Sequence, residues 1–215
     1  MRVLLGKLQT QYWVKIMDLY KLSEVADTYL QAGKDVPDDI TGKVSQCINE
    51  DFVGLGQINP IAGNLEYNSK KIAAYIKYAE KIGLKMIIFP ELSIMGYPIE
   101  DTIYRHPIII RENIKWLKGL AKLTKNTTAI VGFAEPNNDK KGKPYFNSLG
   151  ILKQGKIDGI VRKSLLPTYS EFNDYRYFEP SPVCGVQSAD TLGTLKADSI
   201  SERNCLYEDC AITIC

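Results

Sequence analysis

The sequence places a carboxylate at the end of a buried strand. Residues 84–89 are largely apolar and predict a strand that Pro90 halts, so Glu91 lies at or just beyond its carboxyl end. Folds built on parallel strands collect their chemistry at that edge. A carboxylate there can act as a general base or acid. The alternative is a carboxylate that only caps a neighbouring turn.

Histidine, the usual acid–base residue near neutral pH, occurs once in the chain. His106 lies in Tyr104-Arg105-His106-Pro107, at the expected entry of a helix, where we expect a surface or capping role. Hydrolysis of an unactivated amide needs a nucleophile, a base that activates it and a group that stabilises the oxyanion. If the chain is a hydrolase, its base is therefore expected to be a carboxylate.

Five cysteines supply candidate nucleophiles. Their odd number, in a chain without a recognisable signal peptide, argues for reduced thiols and against a disulfide framework. Cys205, Cys210 and Cys215 are spaced five residues apart, with Cys184 upstream. Zinc ligands are usually paired at closer spacing, often with histidine, so we expect no metal site.

From residue 52 the hydrophobic pattern alternates between strands and helices. A buried strand is predicted over Phe52–Ile58, followed by a helix that begins near Asn68 as N-cap and ends at Gly83. The remaining predicted elements, after the strand that precedes Glu91, are a helix over 108–123, a strand over 128–133, and a hairpin of strands 147–152 and 157–162. The order β-α-β-α-β-β-β predicts an α/β fold.

Residues 1–50 differ from the rest and are predicted to be a helical extension with a linker, leaving 51–215 as the main domain. Residues 13–30 are amphipathic, and residues 33–39 are polar with turn-forming residues. Such a helix either docks a partner or second copy, or covers the main domain, and we favour the cover.

Two segments resemble signatures of the nitrilase (carbon–nitrogen hydrolase) superfamily, namely FPELSIMGYP at 89–98 and RKSLLPTY at 162–169. Their continuations, GYPIED at 96–101 and FNDYRYFEP at 172–180, are most similar to the glutaminase domain found in the glutamine-dependent NAD synthetase branch of that superfamily. The resemblance covers about residues 52–180. It implies an α-β-β-α sandwich of the nitrilase type, incomplete at the C-terminus of this chain.

The resemblance also implies a catalytic triad of glutamate, lysine and cysteine. Glu91 matches the general base, which takes the thiol proton and later delivers one to the departing ammonia. Lys163 matches the lysine that stabilises the oxyanion, and burial beside carboxylates would hold it charged; a surface lysine is the alternative. Cys215, after the apolar residues 211–214, matches the nucleophile but is the final residue.

Three further positions are suggested by the same resemblance. Asp174 occupies the place of a second glutamate that orients the lysine, and its shorter side chain is expected to weaken that contact. Tyr97 and Tyr169 match aromatic residues near the glutamine pocket. The alternative for each tyrosine is an interfacial residue with a buried ring and a solvated hydroxyl.

The activity implied is hydrolysis of glutamine through a thioester, with ammonia passed to a synthetase domain that amidates deamido-NAD. No cofactor is expected in this chain, because Gly54-Leu55-Gly56 lacks the glycine and lysine of a phosphate-binding loop. ATP and Mg would belong to the missing synthetase domain. Two alternatives stay open: another nitrilase-superfamily amidase, or a catalytically inactive fragment, since a nucleophile at a chain terminus is poorly held for attack.

Composition and charge exclude several broad classes of protein. The chain is 45% hydrophobic and 24% charged with a net charge of +2, as in ordinary globular proteins. Its lysine pairs at 70–71 and 140–141 are interleaved with acids, so no nucleic-acid partner is expected. No apolar stretch approaches the length of a membrane span, which predicts a cytoplasmic protein. The oligomeric state stays undetermined by the sequence, and a homo-oligomer is possible.

Overall fold

The computed structural model describes residues 2–5, 13–48, 52–138, 141–169, 172–181 and 186–188. The helices are α1 (Trp13–Gln31), α2 (Asp38–Cys47), α3 (Leu65–Ile82), α4 (Thr102–Arg105), α5 (Ile108–Ala121) and α6 (Asp174–Tyr177). The strands are β1 (Arg2–Leu5), β2 (Phe52–Leu55), β3 (Met86–Ile88), β4 (Thr128–Pro136), β5 (Tyr145–Lys153), β6 (Lys156–Arg162) and β7 (Val186–Ser188). The expected α/β class and the order β-α-β-α-β-β-β from residue 52 are confirmed, with the short α4 inserted before α5.

The described strands form one seven-stranded sheet in sequence order, β1 to β7. β2, β3 and β4 are parallel neighbours, whereas β4, β5, β6 and β7 pair antiparallel. Two reversals make β6 run in the same direction as β3 and β4. The carboxyl ends of β3 and β6 therefore lie at one edge of the sheet, together with the start of β5. This edge receives Glu91 after β3 and Lys163 after β6.

The expected hairpin joins β5 to β6 through a two-residue turn. Gln154 and Gly155 both have left-handed backbone, with φ of 51° and 80°. A turn with two such residues twists in the same sense as the strands it connects. The turn sets the register at the start of the β5–β6 pair, and an irregularity between Ile151 and Leu152 shifts it by one residue before Lys163 is reached.

The core lies between the sheet and the helices α3 and α5. Its side chains come from both layers and include Ile72, Ile76 and Ala79 of α3, Leu117 and Leu120 of α5, Ile87 of β3, and Val131 and Phe133 of β4. The three- and four-residue spacing along α3 gives one apolar face, as the sequence pattern predicts. No helix of the described residues is long and apolar enough to cross a membrane.

The start of α3 differs from the expectation. Asn64, not Asn68, caps the helix, its side chain accepting from the Tyr67 N–H at 3.2 Å. Asn68 lies one turn later, is buried, and its amide bonds the Ile61 N–H and carbonyl at 2.8 Å each. Capping chemistry suits either asparagine, so the sequence pattern did not separate them. The expected end at Gly83 is confirmed, with φ of 76°.

The N-terminal residues pack on the domain they precede. β1 pairs antiparallel with β2, matching Arg2 to Leu55 and Leu5 to Phe52. A polar chain fixes α1 to α3, because Gln31 donates to the Tyr75 hydroxyl at 2.7 Å and that hydroxyl donates to Asp27 at 2.6 Å. The segment also contains a second helix, α2, which the sequence pattern did not separate from the polar stretch before it.

Candidate active site

Glu91 lies three residues past the end of β3, in a turn held against β4. The Ile94 N–H and the Ser93 hydroxyl both donate to the Gly132 carbonyl, each at 3.2 Å. A Cβ on Gly132 would collide with the backbone of residues 90–92, so only glycine lets that backbone approach β4 so closely. Gly132 thus determines where the Glu91 carboxylate sits.

Lys163 follows β6 and points at Glu91. Its N–H continues the ladder by donating to the Asn147 carbonyl at 2.8 Å, and its carbonyl accepts from Ser181 at 3.0 Å. The side chain is only 4% exposed, and its ammonium lies 2.8 Å from Glu91 Oε1. The lysine expected beside carboxylates is therefore buried and paired with one.

Asp174 holds the other side of the same ammonium. Its Oδ2 lies 3.0 Å from Lys163 Nζ, and its Oδ1 accepts from the Tyr97 hydroxyl at 3.1 Å. The Asp174 N–H donates to the Pro167 carbonyl at 3.1 Å, which ties the start of α6 to the loop that follows Lys163. Because α6 starts this close, the shorter carboxylate still reaches the lysine.

The charges of the site keep Lys163 protonated. Burial acts to lower the pKa of Lys163, but the hydrogen bonds and negative charges of Glu91 and Asp174 outweigh it, so the pKa lies above its ordinary value. One ammonium between two carboxylates gives a net charge of about −1. If Glu91 takes a proton, Asp174 still balances the lysine.

Asn147, on β5, contacts Glu91, and the sequence analysis did not identify it as a site residue. Its Nδ2 donates to Glu91 Oε1, the atom that also accepts from Lys163. The side chain is 3% exposed. A buried amide inside an apolar strand was the available signal, because such groups need partners. Sequence alone could not show which partner it had.

A buried ion pair lies behind these residues. Asn147 and Ser148 are neighbours on β5 and point to opposite faces of the sheet. On the Ser148 face, Arg162 makes a two-pronged bond to Glu135 at 2.6 and 2.8 Å, and Ser148 donates to Glu135 at 2.9 Å. The pair ties β6 to β4 one residue before Lys163. Glu135 had been given no role from the sequence.

Aromatic rings and a small cavity lie next to Asp174. Tyr97 and Tyr169 both contact Phe172, with ring centroids 6.1 and 5.6 Å apart. Tyr169 is 69% exposed, whereas Tyr97 bonds Asp174. The cavity, of about 250 Å³, is lined by Tyr97, Pro98, Ile99, Glu100, Asn173, Asp174, Tyr177 and Phe178.

The structure thus brings Glu91, Lys163, Asp174 and Tyr97 together and leaves Tyr169 at the periphery. Cys215, like Cys184, Cys205 and Cys210, lies outside the described residues. His106 is exposed at the end of α4, where its N–H donates to the Thr102 carbonyl. A base, a buried cation and a second carboxylate suit acyl transfer from an amide once a nucleophile is supplied.

Known proteins with similar sequences include glutamine-dependent NAD synthetases. The glutamine-dependent NAD(+) synthetase of Thermotoga maritima is 38% identical over 130 residues, which are 60% of this chain and 22% of that protein. The enzyme of the same name from Acinetobacter baylyi is 33% identical over 128 residues, 60% of this chain and 23% of the relative. The chain therefore spans less than a quarter of the length of these curated relatives.

Solved structures show the same fold. The glutamine-dependent NAD+ synthetase of Acinetobacter baumannii, in complex with ADP, superposes with a TM-score of 0.54 at 31% identity, over 60% of this chain and 24% of that one. A carbon–nitrogen hydrolase from Helicobacter pylori gives 0.50 at 20% identity over 61% and 45%, which supports the fold alone. The model of the carbon–nitrogen hydrolase family matches residues 52–201, and the chain therefore belongs to that family.

Proposed function

We propose that this chain is the glutamine-hydrolysing part of a glutamine-dependent NAD synthetase. One observation carries the proposal: the buried Lys163 ammonium lies between Glu91 and Asp174, at 2.8 and 3.0 Å, in a chain whose curated relatives are such synthetases. A cation held at a carboxylate base is the arrangement that stabilises an oxyanion while a proton is transferred.

The proposed reaction assigns each group a step. Glu91 takes the proton of the Cys215 thiol, and the sulfur attacks the side-chain amide carbon of glutamine. Lys163 stabilises the resulting oxyanion. Glu91 returns the proton to the nitrogen, the C–N bond breaks and ammonia leaves. Water, losing a proton to Glu91, then cleaves the thioester to glutamate and restores the thiol.

Tyr97 and Tyr169 are proposed to border the substrate. Tyr97 bonds Asp174 and lines the 250 Å³ cavity, while Tyr169 contacts the Phe172 ring, which Tyr97 also contacts. Asp174 is proposed to orient Lys163 and to keep it charged during proton transfer.

Ammonia is proposed to pass to a synthetase domain that amidates deamido-NAD and that binds ATP and Mg. The glycines at 54–56 do not suit a phosphate cradle, because a Cβ on Gly56 would meet the ring of Phe89, so this glycine serves packing. We also propose a cytoplasmic location, where an activated thiol stays reduced.

Residues 51–215 are proposed as the nitrilase-like domain and residues 1–50 as a helical extension with a linker. The family model begins at residue 52, after the extension. The contacts of α1 and α2 with α3 support a covering role.

The test is reaction with a glutamine analogue that carries an electrophilic diazoketone, read by mass spectrometry of peptides. We expect one adduct, on Cys215, with labelling reduced by E91Q and unchanged by H106A. Ammonia release from a panel of amides, measured on the protein, then tests the substrate. An adduct on another cysteine, or preferential turnover of amides without an α-amino acid head, would overturn the proposal.

A further inference from the structure

We propose that Asn147 is a positioning residue that fixes Glu91 so that Oε2 is the atom exchanging the proton. The inference rests on the proposed function and assigns its base at the level of one atom. Two donors, Asn147 Nδ2 and Lys163 Nζ, converge on Glu91 Oε1. Within the described ranges, no donor contacts Oε2.

Strand pairing brings the two donors to one place. Asn147 faces Ala134 across the β4–β5 ladder, and the Lys163 N–H donates to the Asn147 carbonyl at 2.8 Å. Lys163 and Asn147 therefore sit side by side on adjacent strands. Their backbone positions follow from register, so both donors are set before any substrate arrives.

Hydrogen bonding distinguishes the two carboxylate oxygens. Asn147 and Lys163 are 3% and 4% exposed, whereas the Glu91 side chain is 39% exposed. The two donors to Oε1 are therefore buried beside a carboxylate that is partly open to solvent. An oxygen that already accepts two hydrogen bonds is the poorer proton acceptor, so the proton goes to Oε2.

The opposite face of β5 supplies a matched control. Ser148 follows Asn147 directly, is 2% exposed and donates to Glu135 at 2.9 Å. S148A removes one buried hydrogen bond from the same strand without touching Glu91. N147A removes one buried hydrogen bond that does touch it.

Carboxyl-carbon NMR of the glutamate-labelled protein tests this inference, with E91Q assigning the Glu91 signal. In N147A the carboxyl-carbon signal of Glu91 at neutral pH is expected to change its chemical shift, because one of the two hydrogen bonds to Oε1 is lost. N147D, which keeps the side-chain shape but adds a carboxylate, is expected to change it further. S148A is expected to leave it in place. The same Glu91 chemical shift in wild type, N147A and N147D would overturn the inference.

Turnover separates this inference from the proposed function. In the active protein, N147A is expected to lower kcat about tenfold with KM little changed, since orientation of the base and not substrate binding is lost. A changed Glu91 chemical shift in N147A, in a protein whose cysteines never react with the glutamine analogue, would refute the glutaminase proposal alone. An unchanged chemical shift in N147A of an active enzyme would refute the role of Asn147 alone.

Discussion

Lys163 donates from a side chain that is 4% exposed to Oε1 of Glu91, 2.8 Å away. The buried ammonium has a second partner in Asp174, so it remains neutralised when Glu91 is protonated. This arrangement allows Glu91 to gain and lose a proton while the cation stays fixed. It suits the proposed division of roles, in which Glu91 transfers the proton and Asp174 holds the lysine.

E91Q is expected to reduce ammonia release and thiol labelling by about a hundredfold or more, because an amide cannot take up the thiol proton. Glutamine keeps the size of the side chain and an oxygen that can accept from Lys163 and Asn147. The fold should therefore survive, as judged by thermal unfolding. E66Q makes the same chemical change on the exposed surface of α3 and should leave the rate unaltered. A fully active E91Q enzyme would remove Glu91 from the mechanism.

The raised pKa of Lys163 gives a sign for the pH dependence of stability. Its folded-state pKa lies above the ordinary 10.5, so its contribution is fully present below pH 10.5 and is lost as pH rises through the folded value. The free energy of unfolding, measured by urea titration from neutral to strongly alkaline pH, should fall across that window. The buried Asp174 carboxylate without its cation should make K163M less stable at neutral pH by about 3–5 kcal/mol.

The control for that experiment is K81M. Lys81 also pairs with a carboxylate, Asp38 at 2.7 Å, but both side chains are at least half exposed. Loss of this exposed pair should change the free energy of unfolding little and should preserve the alkaline decline. An alkaline decline of the same size in K163M as in wild type would show that Lys163 is not its source.

The elements were predictable where one local pattern was sufficient. Helix α3, with its apolar face and Gly83 stop, and the β5–β6 hairpin were both apparent from spacing and turn residues. The pairing of β1 with β2 was not, because it joins residues about 50 apart through backbone groups that every residue carries.

The residues of the candidate site also divide into those that a local pattern predicts and those that it does not. Glu91 and Lys163 stand out through their surrounding sequence, and their placement at strand ends follows from the predicted order. Asn147 offered only an amide inside an apolar strand, and Gly132 offered no local signal, because the role of each depends on register between strands and on how close two backbones come. Such contacts become visible only when the sheet is assembled.

G132A should both destabilise the protein and lower turnover. Its Cβ would lie within 3 Å of backbone atoms of residues 90–92, which cannot yield as a flexible side chain can. We expect a loss of about 1–3 kcal/mol from overpacking, and a displaced Glu91. The free energy of unfolding and the rate of ammonia release should both be lower than in wild type.

G119A is the matched control, since its Cβ on α5 would meet no heavy atom within 4 Å. Alanine in a helix is favoured over glycine, so this variant should gain up to about 1 kcal/mol. If G132A matched G119A in stability and activity, the close approach at Gly132 would have no role in placing Glu91.

Variants at Asn64 and Asn68 distinguish the effect of helix capping on stability from the effect of loop positioning on turnover. N64A removes the cap of α3 and should cost about 1 kcal/mol without affecting turnover. N68A should cost more, about 3 kcal/mol, because the buried Asn68 amide makes three hydrogen bonds to the backbone of Ile61 and Ile94 and all three are lost. Ile94 belongs to the turn that carries Glu91, so N68A should also lower kcat. Urea unfolding and ammonia release measure the two effects, and equal costs with equal rates would mean that Asn68 does not support this turn.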